Sequence, residues 1–504
     1  MLSKLYSFGV IGIDGYPVTV ETHISGGLPS FDVVGLGDNA VKEARDRVRS
    51  AIKNNHFQYP ASRITVNLAP ADIKKTGAVY DMPIMLGVLC ALNIIPDIPK
   101  EYAFAGELSL DGEVRGVKGA LSMALCAKES GFTHLFVPLA NANEASVVDG
   151  VQVFGIKHIK EIISFLKNDV SLSPHTYCDT PLENDPLDFK DVKGQEEAKR
   201  AMEIAASGLH NILLCGPPGS GKSMLAKRLQ SIMPPLSKAE AIETTKIYSI
   251  AGLLMQNGGL ITTRPFRNPH HTVSAAALAG GGQSAKPGEI SLAHNGVLFL
   301  DELPEFHRDV LEALRAPLED NKVTISRVSY SQTYPSNIML VGAMNPCPCG
   351  YLGDDTHVCS CSAKKLDSYK AKLSGPLMDR IDIHVNVAGV NYDELVTNDE
   401  EREGSVEISR RVCAARNMQQ ERFRGTDIIS NANIPSKYMA QMCKTTPKAQ
   451  KVLKKAFDNL GLSARSYDKI LKVARTIADL DQSELIEEMH MLEAVQYRNM
   501  DRNF

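Results

Sequence analysis

One octapeptide constrains this chain more than any other feature of its sequence. It reads Gly216-Pro217-Pro218-Gly219-Ser220-Gly221-Lys222-Ser223. An apolar run over 212–215 precedes it, and a predicted helix over 224–233 follows it. In that context the glycines let backbone N–H groups approach a triphosphate, Lys222 reaches the β and γ oxygens, and the Ser223 hydroxyl ligates magnesium. The octapeptide therefore predicts an α/β domain that binds a nucleoside triphosphate together with Mg²⁺.

The chain is long enough to need more than one such domain. Its 504 residues exceed what a single hydrophobic core supports and predict about three domains. Apolar residues alternate from 18 to 24 as in a strand and recur with helical spacing from 41 to 52, which indicates mixed α/β structure. We expect an α/β domain over 1–167, a polar linker over 168–187, the nucleotide-binding domain over 188–395 and a helical domain over 396–504.

Composition narrows the class of protein. The longest apolar run, 82–96, is too short to span a membrane, and the first residues lack the hydrophobic core of a signal peptide. With ten cysteines, these features predict a cytoplasmic protein with no membrane partner, in which clustered cysteines indicate metal rather than disulfides. A net charge of −4 excludes a strongly basic nucleic-acid binder but leaves room for a local basic surface.

A second motif lies downstream of the octapeptide. The apolar run 296–300 ends in Asp301-Glu302, which is the form of a Walker B strand. Ligand sites of α/β domains lie at the carboxyl ends of parallel strands, so Asp301 is expected to hold Mg²⁺ and Glu302 to activate the attacking water. The alternative is a structural strand that happens to end in two carboxylates.

A third apolar strand, 338–344, ends at Asn345. An amide at that point is suited to positioning the attacking water or contacting the γ-phosphate. The alternative is an asparagine that forms a turn before Pro346.

The order of these motifs resembles that of the AAA+ ATPases. The segment Pro376-Leu377-Met378-Asp379-Arg380-Ile381-Asp382 completes the series. Within the AAA+ proteins the chain is similar to the magnesium-chelatase-type clade, which also contains the MCM helicases. The strings 27–31, 264–272 and 343–350 are typical of its ComM/YifB family and occur in the first and second segments.

This resemblance implies an AAA+ core with a C-terminal helical lid, and ATP as the nucleotide. It places Asn345 at sensor 1, Arg465 at sensor 2 and Arg380 at the arginine finger, which enters the site of the neighbouring subunit. A finger supplied in trans contributes on the order of 10³–10⁵ in rate and implies a closed homo-oligomeric ring, here a hexamer. The alternative for Arg380 is a surface ion pair with Asp379 or Asp382.

Two segments exceed what a minimal nucleotide-binding domain needs. The first, 262–289, contains Arg264 and Arg267, and the second, 322–330, alternates as a predicted β-hairpin with Lys322, Arg327 and Tyr330. In the clade that the chain resembles, both insertions face the channel of the ring and the hairpin grips nucleic acid. These cations and the aromatic ring suit phosphates and a stacked base, and the resemblance implies a single-stranded or branched DNA partner. The alternative is that each is a solvated surface side chain.

Four cysteines lie close together in the sequence between Asn345 and Arg380. Cys347, Cys349, Cys359 and Cys361 form two C-x-C pairs, and four thiolates satisfy a tetrahedral structural Zn²⁺. The spacing is tighter than in common zinc knuckles, so a loop that packs without metal is the alternative. A metal here is expected to stiffen a subunit interface.

The N-terminal segment resembles a degenerate Lon-protease-like, or ribosomal S5 domain 2-like, α/β domain. Lys118 falls near the catalytic lysine of Lon-type peptidases, but no serine stands in 76–81, where the nucleophile is expected. A lysine without its nucleophile cannot form an acyl-enzyme.

Taken together, the motifs and the family resemblance favour a DNA motor similar to the ComM branch-migration helicases. The alternatives are a magnesium-chelatase motor subunit or another protein-remodelling AAA+ ATPase.

Overall fold

The computed structural model describes residues 1–179, 187–254, 258–282, 285–327, 330–353, 357–389, 402–460 and 463–498. The chain forms two compact units. The first contains Met1–Leu182 and Lys238–Ile261, and the second contains Glu183–Ser237 and Thr262–Phe504. The sequence placed 238–261 inside the domain of 188–395, whereas the structure places it in the first unit. In the part of the chain that the structure describes, no helix combines the length and the apolar character that crossing a bilayer requires.

A seven-stranded mixed sheet organises the first unit, with a small hairpin beside it. The strands in chain order are β1 (Leu2–Ile11), β2 (Asp14–Ser25), β3 (Ser30–Val34), β4 (Arg63–Ala69), β5 (Tyr102–Phe104), β6 (Glu107–Leu108), β7 (Val114–Arg115), β8 (His134–Pro138) and β9 (Gln152–Ile156). The sheet order is β3-β4-β2-β1-β5-β8-β9. Strand β2 pairs antiparallel with β1 and β4, and the remaining pairs are parallel. The predicted alternation over 18–24 is confirmed in β2, whose Val18, Val20 and Thr22 are buried.

Six helices belong to the described residues of the first unit. They are α1 (Asn39–Asn54), α2 (Asp81–Ala91), α3 (Ala120–Glu129), α4 (Leu139–Ala145), α5 (Ile159–Leu166) and α8 (Lys238–Ala251). Five of them pack against this sheet and its hairpin, and the sixth, α8, packs against α3. The helical spacing over 41–52 is confirmed in α1, whose apolar positions form its buried face.

Helix α8 belongs to the first unit because its inner face completes a buried polar network there. Ser249 donates to the carboxylate of Glu144 and accepts from the Gly119 amide at 2.9 Å. Glu144 also accepts from the Leu121 amide at 2.8 Å. Burial raises the pKa of Glu144, and a buried carboxyl must be hydrogen-bonded to be tolerated. Removal of α8 would leave this carboxyl without Ser249.

A five-stranded parallel sheet organises the second unit. The described strands of the whole unit, those of this sheet and of two separate two-stranded pairs, are β10 (Ile212–Cys215), β11 (Phe266–Arg267), β12 (Gly280–Gly281), β13 (Lys286–Pro287), β14 (Gly296–Leu300), β15 (Lys322–Arg327), β16 (Tyr330–Pro335), β17 (Ile338–Met344) and β18 (Ile383–Asn386). The sheet order is β11-β14-β17-β10-β18, and its pairings are parallel. Strands β12 and β13 pair with each other, as do β15 and β16.

The helices of the second unit lie around the sheet and in a C-terminal bundle. They are α6 (Glu196–Gly208), α7 (Lys222–Ile232), α9 (Ala275–Ala279), α10 (Glu289–Leu292), α11 (Arg308–Ala313), α12 (Arg315–Asp320), α13 (Ala363–Lys370), α14 (Gly375–Met378), α15 (Ser405–Arg422), α16 (Met439–Met442), α17 (Pro447–Leu460), α18 (Ala464–Leu480) and α19 (Glu488–Gln496). Short 3₁₀ turns occur at Phe189–Asp191, Leu303–Glu305, Asn431–Asn433 and Ser436–Tyr438.

The segment between Glu302 and the hairpin does not form one continuous helix. The structure has two short helices, α11 and α12, that meet at Leu314. Pro317 carries no amide hydrogen, so it cannot donate to the carbonyl of Ala313, where α11 ends. The break turns α12 toward the hairpin that follows it.

A buried carboxylate joins the helices of the C-terminal bundle. Asp479 has a fully buried side chain and accepts from Arg422 at 2.9 Å, Arg475 at 3.1 Å and Asn431 at 2.8 Å. These donors come from α15, from α18 and from the turn between them, so one side chain holds three segments together.

Replacing Asp479 with asparagine is expected to destabilise this bundle by about 3–5 kcal/mol, because it leaves two guanidinium groups beside a neutral amide. Hydrogen exchange of the α18 amides measures the loss as faster local opening. The matched control is Asp481→Asn, which removes a half-exposed partner of His490 and should change the exchange rates little. Equal protection in both variants would contradict this role for Asp479.

Candidate active site

The parallel sheet brings the three sequence motifs to one edge. Strand β17 lies between β10 and β14, with Cys215 opposite Met344 and Leu300 opposite Gly342. The residues that follow these strands are the glycine-rich loop, Asn345 and Asp301. Because the strands are parallel, their carboxyl ends meet at the same edge, which is where ligands of such sheets bind.

Lys222 occupies the centre of this edge. Its Nζ donates to the backbone oxygens of Gly216 and Pro217, both at 2.8 Å, and to Asn345 Oδ1 at 3.3 Å. Burial lowers the pKa of Lys222. These three partners, and the more distant Ser220 Oγ at 3.5 Å, are neutral oxygens, so the ammonium is solvated by dipoles and its charge is available to an anionic ligand. Among the predicted site residues, Lys222 and Asn345 are therefore brought into contact.

The start of the glycine-rich loop is closely packed. A Cβ added to Gly216 would lie 2.2 Å from the Val387 carbonyl oxygen, so no larger residue fits there without moving the backbone. The Gly216 amide donates to the Met344 carbonyl at 3.2 Å, which extends the β10–β17 pairing by one residue. This packing places the loop directly above the end of β17.

Ser223 and Asp301 form the other contact of the site. Ser223 Oγ donates to Asp301 Oδ2 at 2.6 Å, although the two residues are 78 positions apart in the chain. A hydroxyl and a carboxylate oxygen are the hard ligands that Mg²⁺ prefers. Bound there with a nucleotide, Mg²⁺ would neutralise phosphate charge, and the donor set of these two residues fits it. The predicted pairing of the octapeptide with the Asp301 strand is thus present in the structure.

Glu302 follows Asp301 and has a partner that the sequence did not predict. Its carboxylate lies 3.5 Å from Nδ1 of His271, and the His271 ring packs against that of His270 with centroids 4.1 Å apart and planes tilted by 34°. Both histidines belong to the insertion 262–289. His271 stands in the string 264–272 that carries the family resemblance, but only the fold shows that this string, which follows β11, lies beside the end of β14.

Arg380 is enclosed by residues of its own chain. Its guanidinium donates to the backbone oxygens of Arg315 at 3.1 Å and Pro376 at 2.6 Å, and it pairs with the carboxylate of Glu319. The side chain is 14% exposed. The ion pair expected with Asp379 or Asp382 is replaced by one with Glu319, which α12 presents after the break at Leu314.

The neighbouring Asp382 connects the sheet to the C-terminal bundle. It lies 3.0 Å from Lys469 and 3.4 Å from His210. Burial alone would raise the pKa of Asp382, but Lys469 and His210 hold this pKa well below its usual range. Arg465, predicted as sensor 2, stands one turn before Lys469 on α18. It is 64% exposed and lies 3.8 Å from Asp379.

The cations of the first insertion have structural partners. Arg264 is buried and donates to the backbone oxygens of Pro234 at 2.6 Å and Asn295 at 2.8 Å. Arg267 forms a two-point ion pair with Glu289, at 2.6 and 2.8 Å. Arg264 is not presented to solvent, whereas the Arg267 side chain is 30% exposed and would have to exchange Glu289 for a phosphate. The DNA-binding role of Arg264 and Arg267 stays a prediction.

The second insertion is a β-hairpin, as predicted. Strands β15 and β16 pair antiparallel, with Lys322 opposite Pro335 at the base and Arg327 opposite Tyr330 at the tip. Lys322 is exposed. The side chains of Arg327 and Tyr330 lie outside the described part of the structure, so only their positions in the strand register are known.

The four predicted cysteines converge. The sulfur atoms of Cys347, Cys349, Cys359 and Cys361 all lie within 4.8 Å of one another. Three of the separations are 3.2, 3.5 and 3.7 Å. Hydrogen bonds from the Tyr351 amide, the Cys347 thiol and the Ser360 amide lower the pKa of Cys349 to about 6. A tetrahedral ion with metal–sulfur bonds of about 2.3 Å requires sulfur separations of about 3.8 Å, so the cluster fits Zn²⁺.

In the first unit, the segment expected to carry a peptidase nucleophile is structural. Asp81 pairs with Arg47 at 2.6 Å and accepts from the Leu108 amide at 3.2 Å. Burial raises the pKa of Asp81 to about 6, against the effect of Arg47. Lys118 lies against Gly252, where an added Cβ would stand 2.7 Å from its Cε.

Comparison with known proteins identifies the family. Three related family descriptions match in chain order: "Subunit ChlI of Mg-chelatase" over 20–141, "Magnesium chelatase, subunit ChlI" over 188–395, and "Magnesium chelatase, subunit ChlI C-terminal" over 402–498. Competence protein ComM of Haemophilus influenzae is 42% identical over 508 residues, covering 99% of this chain and 98% of the relative. YifB of Escherichia coli K12 is 42% identical over 507 residues, with the same coverage.

The chain belongs to the ComM/YifB family of Mg-chelatase-like AAA+ ATPases. Lon protease 2 of Bacillus subtilis is also similar, at 29% identity over 158 residues, which cover 29% of this chain and 28% of that protein. The fold class expected from the sequence is thereby confirmed: an AAA+ core with a helical lid and a Lon-protease-like N-terminal α/β domain. Nucleotide binding and ATPase activity with Mg²⁺ follow from membership of this family.

Replacing His271 with alanine is expected to raise the basal rate of ATP turnover, because Glu302 would no longer be held toward the insertion and would be available to orient water. Steady-state phosphate release at saturating ATP measures this effect. The control is His307→Ala, an exposed histidine at the start of α11. A basal rate that stays at or below that of the unmodified protein would show that His271 does not restrain Glu302.

Proposed function

We propose that this AAA+ ATPase is a ring-forming DNA motor, a branch-migration helicase similar to ComM that acts on single-stranded or branched DNA during recombination and natural transformation. One of the relatives that cover nearly the whole chain, ComM of Haemophilus influenzae, is named a competence protein, which supports this choice among AAA+ motors. In this proposal Asp301 and Ser223 hold Mg²⁺, Lys222 and Asn345 contact the phosphates, and Glu302 activates water. The contact of Lys222 with Asn345 and that of Ser223 with Asp301 support the first two roles, and the position of Glu302 directly after Asp301 supports the third.

The β15–β16 hairpin is the observation that carries the proposal. On its inner face Val323, Ile325 and Tyr334 are buried. On its outer face four hydroxyl side chains form an exposed ladder, with Thr324 3.1 Å from Thr333 and Ser326 3.3 Å from Ser331. Hydroxyl groups are common partners of phosphate and sugar oxygens. A hairpin with one anchored face and one polar face is suited to contact a nucleic-acid backbone.

The two insertions support each other mechanically. Tyr334 Oη donates to the Ala285 carbonyl at 2.7 Å, and a Cβ added to Gly280 would lie 2.8 Å from Ile325 Cδ1. The insertion that packs beneath the hairpin is also the one that contacts Glu302 through His271. We therefore infer a route by which DNA at the hairpin tip, at Arg327 and Tyr330, alters hydrolysis.

DNA is expected to stimulate ATP turnover at low salt, with forked or four-way-junction DNA compared against single strands. Glu302→Gln should abolish turnover and retain ATP binding. Arg327→Ala should lower the stimulation and reduce the salt slope of DNA binding by about one per contact, because one phosphate neutralisation is lost. Lys42→Ala, which removes an exposed cation from α1, is the charge-matched control. No stimulation and no strand movement by the unmodified protein would overturn the proposal.

The ring and its arginine finger are tested by mixing two inactive variants. Arg380→Ala subunits keep a complete Walker site, and Glu302→Gln subunits keep the finger. In a mixed ring some sites would combine both intact parts, so turnover should reappear on mixing. The double variant Glu302→Gln/Arg380→Ala, mixed with either single variant, is the control and should restore nothing. Failure of the two single variants to complement each other would remove the trans assignment.

A magnesium-chelatase motor subunit is the second candidate. The three family descriptions name magnesium chelatase, and the 67 kDa magnesium-chelatase subunit of Heliobacterium mobile is 25% identical over 230 residues. That similarity covers 40% of this chain, against 99% for ComM. Turnover stimulated by a chelatase partner, and not by DNA, would favour this candidate.

We also propose that the cysteine cluster holds a structural Zn²⁺. Elemental analysis of the purified protein should find about one zinc per chain, since four thiolates complete one tetrahedral site. Cys347→Ser and Cys359→Ser should each lower the zinc content, whereas Cys413→Ser, outside the cluster, should not. Absence of zinc from protein purified without chelator would contradict the assignment.

A further inference from the structure

The cysteine cluster contacts the phosphate-binding loop as well as itself. Gly350, one residue after Cys349, is buried and has φ of +90°. A Cβ added there would lie 2.5 Å from Cδ and 2.8 Å from Cγ of Pro218. Ordinary contacts of this kind are 3.4–4 Å. The turn that carries two of the thiols is therefore packed against the outer side of the loop, close enough that only glycine fits.

The same turn is anchored to the other parts of the nucleotide site. Asn345, which accepts from Lys222, is two residues before Cys347, and the Gly350 amide donates to the Cys347 carbonyl at 3.0 Å. On the far side of the cluster, Tyr369 of α13 donates to the Asn345 carbonyl at 3.1 Å. The four cysteines therefore lie in the chain between Asn345 and Tyr369, two residues that are themselves joined by a hydrogen bond.

We propose that the metal-loaded cysteine cluster is a positioning device for the phosphate-binding loop, acting through the contact of Gly350 with Pro218. The proposal rests on the zinc assignment made above. A tetrahedral ion fixes the two C-x-C pairs relative to each other, and so fixes the turn that Gly350 occupies. The fixed turn then restricts the movement of Pro218, and the backbone amides of the phosphate-binding loop keep the positions that phosphate binding needs.

The proposal differs from a role in subunit contacts, which the position of the cluster in the sequence suggested. If the cluster acts as a brace within one chain, through the contact of Gly350 with Pro218, then loss of the metal weakens ATP binding by a single subunit. This effect depends neither on ring assembly nor on DNA. The expected loss is about tenfold in affinity, which corresponds to about 1.4 kcal/mol of lost contact between the loop amides and the phosphates.

The steric contact is tested with three variants. Gly350→Ala should weaken binding of a fluorescent ATP analogue, because Pro218 must shift by about 1 Å to admit the new methyl group. Gly353→Ala is the matched control: φ there is +78°, and no described atom lies within 4 Å of its added Cβ. It carries the same backbone strain without the clash. Gly350→Ala/Pro218→Ala removes the clashing Cγ and Cδ and should recover affinity relative to Gly350→Ala.

The metal is tested by removing it. Chelator-treated protein should bind the analogue more weakly, recover on addition of Zn²⁺, and show faster hydrogen exchange at the loop amides while the sheet amides stay protected. Rescue by the double variant together with Zn²⁺-dependent affinity would establish the brace.

Three results would overturn it: equal affinity with and without zinc, equal weakening by Gly350→Ala and Gly353→Ala, or no recovery in the double variant. Each is a binding measurement made without DNA. A protein that meets all three expectations but is not stimulated by DNA would refute the proposed function and leave the brace intact.

Discussion

The parallel pairing of β10 with β17 is the constraint on which the rest of the second unit depends. It brings the glycine-rich loop beside Asn345 and lets Lys222 reach the Asn345 amide. The pairing of β17 with β14 then sets Asp301 within hydrogen-bond distance of Ser223. Five buried residues in β14 and four in β10 supply the hydrophobic burial that holds these strands in register.

Much of this arrangement could be predicted from the sequence, because buried strands and a glycine-rich loop leave strong local patterns. The strands before Gly216, Asp301 and Asn345 follow from continuous apolar runs, and the hairpin and the helix α1 follow from periodicity. Contacts between distant segments leave no such pattern. Nothing local indicates that His271 lies beside Glu302, or that Arg264 is buried among backbone carbonyls. The break between α11 and α12 does have a local signal, because Pro317 lacks the amide hydrogen that a continuous helix needs.

The charged groups of the site share one property: each has a local partner of suitable geometry. Glu302 has His271, Arg380 has Glu319, and Lys222 has three neutral oxygens. For Arg380 to act on a neighbouring subunit, it must exchange Glu319 for a phosphate. The hydrogen bonds of the guanidinium to a carboxylate and to a phosphate are both charge-assisted and similar in strength, so the free-energy change of this exchange is small. Small movements of α12 or of the insertion would then decide which partner is held.

The placement of 238–261 in the first unit has a consequence for how the protein is made. The chain enters the second unit, returns to the first through α8, and enters the second again. During synthesis the first unit therefore cannot complete its core until the glycine-rich loop and α7 have already been translated. Domains that are continuous in sequence fold in the order in which they are made. The first unit instead has to wait for α8, which is made after part of the second unit. A fragment ending near residue 180 would lack α8 and leave Glu144 without one of its donors.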